Sequence, residues 1–239
     1  MSTAIVTGSA SGIGAAIAAL LREDGWDVLG VDLTEGADLQ ADLTTREGNR
    51  DAVQAAVARF GRLDAVIPNA GVQHVAPVAD FPEDRWDQLV ALLLTSPFLL
   101  AKYAWPHLVA SPSGRFVAVA SVHGLVASPF KAAYVAAKHG VIGLVRTLAL
   151  EGADSGVTAT AVCPGYVRTP LVEQQIADQA RAHGIGEDEV LDEVILAPHV
   201  VKQLIEPQDV ARIVTLLLSP QGRMFTGAAL AMDCGWTAR

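Results

Sequence analysis

Cysteine is scarce in this chain, with only Cys163 and Cys234 among 239 residues. Neither forms a CxxC pair or a Cys/His spacing of the kind zinc requires, so no metal site is expected. A disulfide between them is permitted but not expected. Charged residues are also few, at 18%, and their balance gives a formal net charge of -9. Such a surface repels polyanions, which argues against nucleic acid and anionic membranes as partners. An anionic substrate must therefore meet cations placed locally. The longest apolar runs, such as Leu89 to Leu94, fall short of a membrane span. The first apolar stretch has no basic flank and runs into a glycine-rich turn, unlike a signal peptide, so a cytoplasmic location is expected. No repeat, low-complexity tract or linker divides the chain.

What remains is a chain with 51% hydrophobic content, enough to bury one large core across residues 1–239. Short apolar runs at Ala4–Thr7, Asp27–Val31, Asp64–Ile67, Arg115–Ala120, Val157–Val162 and Ala228–Met232 read as strands. Longer helical patterns separate them, at Gly14–Glu23, Arg46–Phe60, Glu83–Leu108, Pro129–Glu151 and Pro207–Ser219. That alternation predicts an α/β fold, a doubly wound parallel sheet with helices on both faces. The polar, amphipathic stretch Leu171–His199 follows a strand end. It reads as either a lid over a binding site or a solvated pair of surface helices.

The run Thr7-Gly8-Ser9-Ala10-Ser11-Gly12-Ile13-Gly14 follows the first strand and opens a helix. Glycines there let backbone approach a pyrophosphate, and the helix N-terminus offers unpaired N–H groups to it. The second strand ends at Asp32, whose carboxylate can bind both ribose hydroxyls of adenosine and repel a 2′-phosphate, favouring NAD; a simple turn role is the alternative.

Further along, Ser128-Pro129 reads as an N-cap and first turn. Lys131, Tyr134 and Lys138 then follow at helical offsets along one face of an otherwise apolar helix. A tyrosine beside an ammonium can act as a general acid/base, its pKa drawn down from near 10. Ser121, at a strand end, can hydrogen-bond the same substrate oxygen. Lys131 can instead extend its head to solvent. His123 and Gln73 can be loop residues without a role, and Tyr166 and Trp236 either wall a pocket or pack a core. The remaining histidines share no spacing.

TGSASGIG, Asn69-Ala70-Gly71, Ser121, the Tyr134/Lys138 pair and Pro164-Gly165 together resemble the short-chain dehydrogenase/reductase family over essentially the whole chain. The resemblance implies a single-domain Rossmann-like fold with a helical substrate lid at 171–199, and a homotetramer. It implies Ser121, Tyr134 and Lys138 as catalytic residues. It also implies a dinucleotide held by Gly8, Ser11, Gly12, Ile13 and Gly14, with Asp32, Asp42 and Leu43 at the adenosine end. Asn69, Ala70, Gly71, Tyr134, Lys138, Pro164, Gly165, Val167 and Thr169 complete that site, Asp42 contacting adenine and Thr169 the carboxamide. The segments NAGVQHVAPVADFPEDRW, SVHGLVASPFKAAYVAAKHG and CPGYVRTPLVEQQI, with the terminal GWTAR, resemble the branch of the family that interconverts (R)-3-hydroxybutyrate and acetoacetate. In that branch Gln73, His123, Lys131 and Gln175 would bind the substrate carboxylate beside Ser121, Tyr134 and Trp236. The substrate is then a small hydroxy acid or keto acid. Another alcohol, a 3-oxoacyl group, or a cofactor-binding regulator with little turnover are the alternatives.

Two departures stand out. Leu93 occupies a position where many relatives carry an asparagine that organises a water chain behind the active-site lysine; leucine cannot hydrogen-bond. The interval from Asp32 to Asp42 is also short for the helix and strand that relatives fit there.

Overall fold

A computed structural model describes residues 1–238, so Arg239 of the terminal GWTAR motif lies outside the described residues. Its strands are β1 (Thr3–Thr7), β2 (Asp27–Asp32), β3 (Leu39–Gln40), β4 (Ala65–Ile67), β5 (Arg115–Val119), β6 (Thr158–Pro164) and β7 (Ala229–Met232). Its α-helices are α1 (Gly12–Glu23), α2 (Arg46–Phe60), α3 (Glu83–Val90), α4 (Ser96–Ala110), α5 (Ala132–Gly152), α6 (Pro170–Glu173), α7 (Ile176–His183) and α8 (Pro207–Leu218).

The strands are short and rich in Val, Ile and Ala because both faces of each are covered. β1, β4 and β5 are buried along their whole length. All pairings are parallel, in the order β3-β2-β1-β4-β5-β6-β7. Alternation splits the core in two. Ile5, Leu29, Val31, Phe116 and Ala118 point toward α2, α4 and α5. Ala4, Val6, Val28, Val117 and Val119 point toward α1 and α8. The chain reverses between β1 and β4, so β2 and β3 lie on one side and β5 to β7 on the other. That arrangement opens a crevice at the carboxyl ends of the central strands, where ligands bind in such sheets.

The six strands expected from sequence are present, and a seventh, β3, was missed because two residues carry no pattern. Its brevity answers the short Asp32–Asp42 interval: no helix fits between β2 and β3. The backbone N–H of Gly30, beyond the reach of β3, instead donates to Asp38 at 2.7 Å. Three other expectations need correction. Glu83–Leu108 is not one regular helix, because a π-helical turn at Ala91–Thr95 separates α3 from α4. Pro97 has no N–H to bond the Leu93 carbonyl one turn earlier, and the N–H of Ser96 bonds Ala91 instead. By length and composition the whole stretch Glu83–Ala110 could span a bilayer, contrary to the reading of short apolar runs. Here its residues Leu99, Leu100, Ala104 and Leu108 pack into the core.

The third correction concerns α5, which begins at Ala132 rather than Pro129. Lys131 occupies the cap position, and Ser128 makes no cap. Phe130, with φ 66°, interrupts the helical path between them. Cys163 and Cys234 are both free thiols.

One buried carboxylate ties the sheet together at the end away from the crevice. Asp64, whose side chain is fully buried, accepts from Thr3 N at 2.8 Å, Ser111 Oγ at 2.5 Å and Arg62 Nη2 at 2.7 Å. Burial pushes its pKa up from 3.8, but the bonds from Arg62, Ser111 and Thr3 outweigh that and hold it below. Its contribution to stability is therefore present above pH 3.8 and lost as pH falls further. Asp64→Ala strands the buried Thr3 N–H and is expected to cost about 2–3 kcal/mol in urea unfolding at neutral pH. The deficit against the parent chain should shrink in acid.

Candidate active site

The crevice holds a cavity of about 660 Å³. At one end the β1–α1 turn brings Gly8, Ser11, Gly12 and Ile13 to its wall. Gly14 stands just behind, since a Cβ there would lie 2.0 Å from the Gly8 carbonyl oxygen. Gly8 has φ 67°, and a Cβ on it would come within 2.8 Å of Ala70 Cα. α1 carries neither a side-chain cap on its first N–H groups nor an acidic residue in its first turn. This terminus is thus built to face an anion. Asn69 fastens the turn to the neighbouring strand end, its Nδ2 donating to Thr7 O at 2.9 Å while its N–H donates to Thr7 Oγ1. Thr169 approaches from the opposite rim, with its methyl 3.0 Å from where a Gly12 Cβ would sit.

Asp32, Asp42 and Leu43 line the same end of the cavity. Asp32 accepts from Ala10 N at 3.0 Å and from Thr34 Oγ1 at 2.6 Å. Burial raises its pKa, yet the bonds from Thr34 and Ala10 prevail and keep it below 3.8. It is a carboxylate at neutral pH. Leu33 beside it is exposed, and Arg22, the cation of the preceding helix, is paired with Asp38 at 2.6 Å. Asp42 turns its Oδ1 back onto Thr44.

Midway along, Ser121 ends the β5 connection and Tyr134 and Lys138 project from α5, one helical turn apart. Ser121 Oγ lies close enough to the Tyr134 phenol to lower its pKa, and accepts from His123 N at 3.1 Å. Lys138 Nζ donates to Val119 O at 2.9 Å and lies 5.5 Å from the centre of the Tyr134 ring. Burial pushes Lys138 down to about 8. It also raises Tyr134, and the bond with Ser121 only partly offsets this. The expectation that the neighbouring ammonium draws the phenol below its ordinary range is not met here, because burial holds it above.

Lys131, His123, Gln73, Gln175 and Trp236 also line the cavity, the His123 and Trp236 rings with centroids 5.3 Å apart. Lys131 does not run to solvent: it is 3% exposed, and its Nζ donates to Tyr166 Oη at 2.9 Å. No carboxylate pairs with it among the described residues. Burial lowers it to about 8. His123 is lowered to about 3 by burial and then by Lys131, so its ring is neutral. Its Nε2 lies 3.0 Å from Ser128 Oγ, which gives that serine a place in the site that its sequence neighbours did not suggest. Gln175 donates to Leu171 O at 2.7 Å, and Gln73 accepts from His74 N at 3.0 Å. The segment 171–199 folds as α6, α7 and a π-helical turn at Leu191–Ile195. A small core of its own forms from Ala180, Val190, Ile195 and Leu196 around Tyr166 and Trp236.

Every residue expected at the site lines this cavity except Gly14, which supports its wall from behind. A serine, a tyrosine and a lysine beside a glycine-lined helix terminus form an arrangement for proton exchange next to a bound dinucleotide. Residues 2–180 match the family described as short chain dehydrogenase. The chain belongs to the short-chain dehydrogenase/reductase family. It is 43% identical to a D-beta-hydroxybutyrate dehydrogenase of Rhizobium meliloti, over 99% of both chains. A second D-beta-hydroxybutyrate dehydrogenase, of Cupriavidus necator, is 39% identical over 99% of this chain and 98% of its own. Among solved structures, an aldohexose dehydrogenase of Thermoplasma acidophilum superposes with a TM-score of 0.89 at 26% identity, covering 100% of this chain and 94% of that one.

Short-chain dehydrogenases use nicotinamide cofactors, and this cavity fits one: Gly8 and Gly14 admit no Cβ, Gly12 holds a φ of 53°, and an uncapped helix terminus faces the space. Against the family pattern, Leu93 is buried against Leu89, Ala133 and Ala137. It borders a void of about 10 Å³ behind Lys138, shared with Thr7 and Ser96. The side chain offers no polar atom there.

Proposed function

We propose that this chain catalyses the reversible NAD-dependent oxidation of (R)-3-hydroxybutyrate to acetoacetate. Lys131 carries the reading: a buried ammonium whose partner is a phenol, facing the cavity that holds Ser121, Tyr134 and Lys138. Burying a cation without a counter-charge is costly. A carboxylate two bonds from the reacting carbon supplies that charge, at a distance set by the single helical turn between Lys131 and Tyr134. Neutral His123, Gln73 and Gln175 add uncharged hydrogen-bonding groups to the same cavity, and Trp236 walls it. Residues 171–199 act as the lid over the substrate. The two relatives named for D-beta-hydroxybutyrate support the same class.

In the oxidising direction the Tyr134 phenolate takes the proton of the C3 hydroxyl, and Ser121 donates to the same oxygen as it becomes a carbonyl. Lys138 holds positive charge beside the phenolate. A nicotinamide held in this crevice would supply the acceptor for the C3 hydrogen and its electron pair. In the reverse direction Tyr134 returns its proton to the carbonyl oxygen. The ionised Asp32 favours NAD by binding ribose hydroxyls and repelling a 2′-phosphate.

Absorbance at the NADH band tests the reading with each enantiomer of 3-hydroxybutyrate and with either dinucleotide. The (R) acid with NAD is expected to turn over, and the (S) acid or NADP to react at least about a hundredfold more slowly. Inactivity toward both enantiomers would refute the proposal.

A further inference from the structure

Tyr166 lies just beyond β6, in the Pro164-Gly165 connection, and is buried although it carries a hydroxyl. A buried phenol needs a partner. The one it has is Lys131, whose ammonium donates to Oη at 2.9 Å and sits 4.9 Å from the centre of the same ring. Lysine has a flexible four-carbon stem, and among the described residues the Tyr166 hydroxyl is the hydrogen-bond partner that fixes where its head lies.

The phenol, by contrast, is held from several directions. Its ring stacks on Trp236 with centroids 5.7 Å apart and planes 20° apart. The edge of His123 meets it at 6.3 Å. Its backbone N–H points at His199 Nε2 at 3.4 Å, and its carbonyl accepts from Ile205 N at 3.0 Å. Gly165 makes room for this arrangement, since a Cβ there would lie 2.9 Å from His199 Nε2. His199 is fully buried and is held in turn by Gln203 O at 3.0 Å from Nδ1.

We propose that Tyr166 is a specificity-determining positioning residue, whose phenol oxygen fixes the Lys131 ammonium at the height in the cavity where a short keto acid places its carboxylate. The inference rests on the function proposed above. Tyr166 acts through Lys131: it selects the acid over an uncharged ketone of the same size, and it takes no part in proton exchange at Tyr134.

Tyr166→Phe deletes only the oxygen and leaves the stack on Trp236, so steady-state kinetics read the hydrogen bond alone. The KM for acetoacetate is expected to rise about tenfold, with kcat within about threefold of the parent. The kcat/KM for methyl acetoacetate, which lacks the charge, should be unchanged. In a Lys131→Ala background the same substitution should add nothing further, because the two residues act as one unit. A KM within twofold of the parent, or equal losses on acid and ester, would overturn the inference while leaving the substrate assignment intact, provided Lys131→Ala still raises the KM for the acid. If Lys131→Ala also leaves the acid unaffected, the carboxylate reading itself fails and takes this inference with it. Near-ultraviolet circular dichroism of Tyr166→Phe, matching the parent apart from one tyrosine, checks that the fold is kept.

Discussion

Tyr134→Phe is expected to lower turnover in both directions by at least about 10³-fold, within the range that a positioned acid or base contributes. NADH binding, read by its fluorescence, should stay within about twofold of the parent. The substitution keeps the ring that packs with Leu89, Leu93, Ala133 and Ala137 and meets the edge of His123 at 5.9 Å. Only the oxygen is lost. Ser121 cannot replace it, because a serine hydroxyl ionises far above the working range, and its oxygen already accepts from the His123 backbone. Since burial raises Tyr134 and the bond with Ser121 offsets this only in part, the phenolate is scarce at neutral pH. Oxidation of hydroxybutyrate should therefore quicken as pH rises, and the reverse reduction should not. Turnover within tenfold of the parent would show that another group carries the proton.

Most of this frame is legible in the sequence, for identifiable reasons. β1 and β5 read clearly because a strand buried on both faces must be a continuous apolar run. The β1–α1 turn reads because Gly8, Gly12 and Gly14 are each required by a close approach of backbone or side chain. β3 could not be read, since two residues at a sheet edge show no period. The break at Ala91–Thr95 was hidden because Leu89 to Leu94 satisfies a helical and a π-helical path equally well. Pro97 was the available signal, standing one turn after the carbonyl it cannot serve.

At the site, what the sequence conveyed was residue type and spacing along α5. What it withheld depends on contacts between distant segments. That Ser128 serves His123 instead of capping α5 follows from Phe130 adopting φ 66°, which no local pattern announces. The pairing of Lys131 with Tyr166 joins residues 35 apart in sequence. Spacing likewise reveals the lysine beside Tyr134 but not the burial that opposes its effect on the phenol.

Lys131→Ala is expected to raise the KM for acetoacetate by about 10²-fold, as loss of a buried charge-assisted bond implies, with a far smaller effect on methyl acetoacetate. Lys131→Met, which keeps the apolar stem and removes the charge, should behave alike and so separates charge from the hole that alanine leaves. Protonation gives the same conclusion without mutation. Burial holds Lys131 at about 8 in the free protein, so its positive charge is present below that pH and lost above it. The KM for acetoacetate should accordingly climb as pH rises past 8, whereas that for the ester should not. His123, lowered to about 3, contributes no limb near neutrality. A carboxylate docking on Lys131 stabilises the ammonium, so binding near pH 8 should take up a proton, measurable as buffer-dependent heat in calorimetry. Equal pH profiles for the acid and the ester would mean that the charge at Lys131 does not meet the substrate.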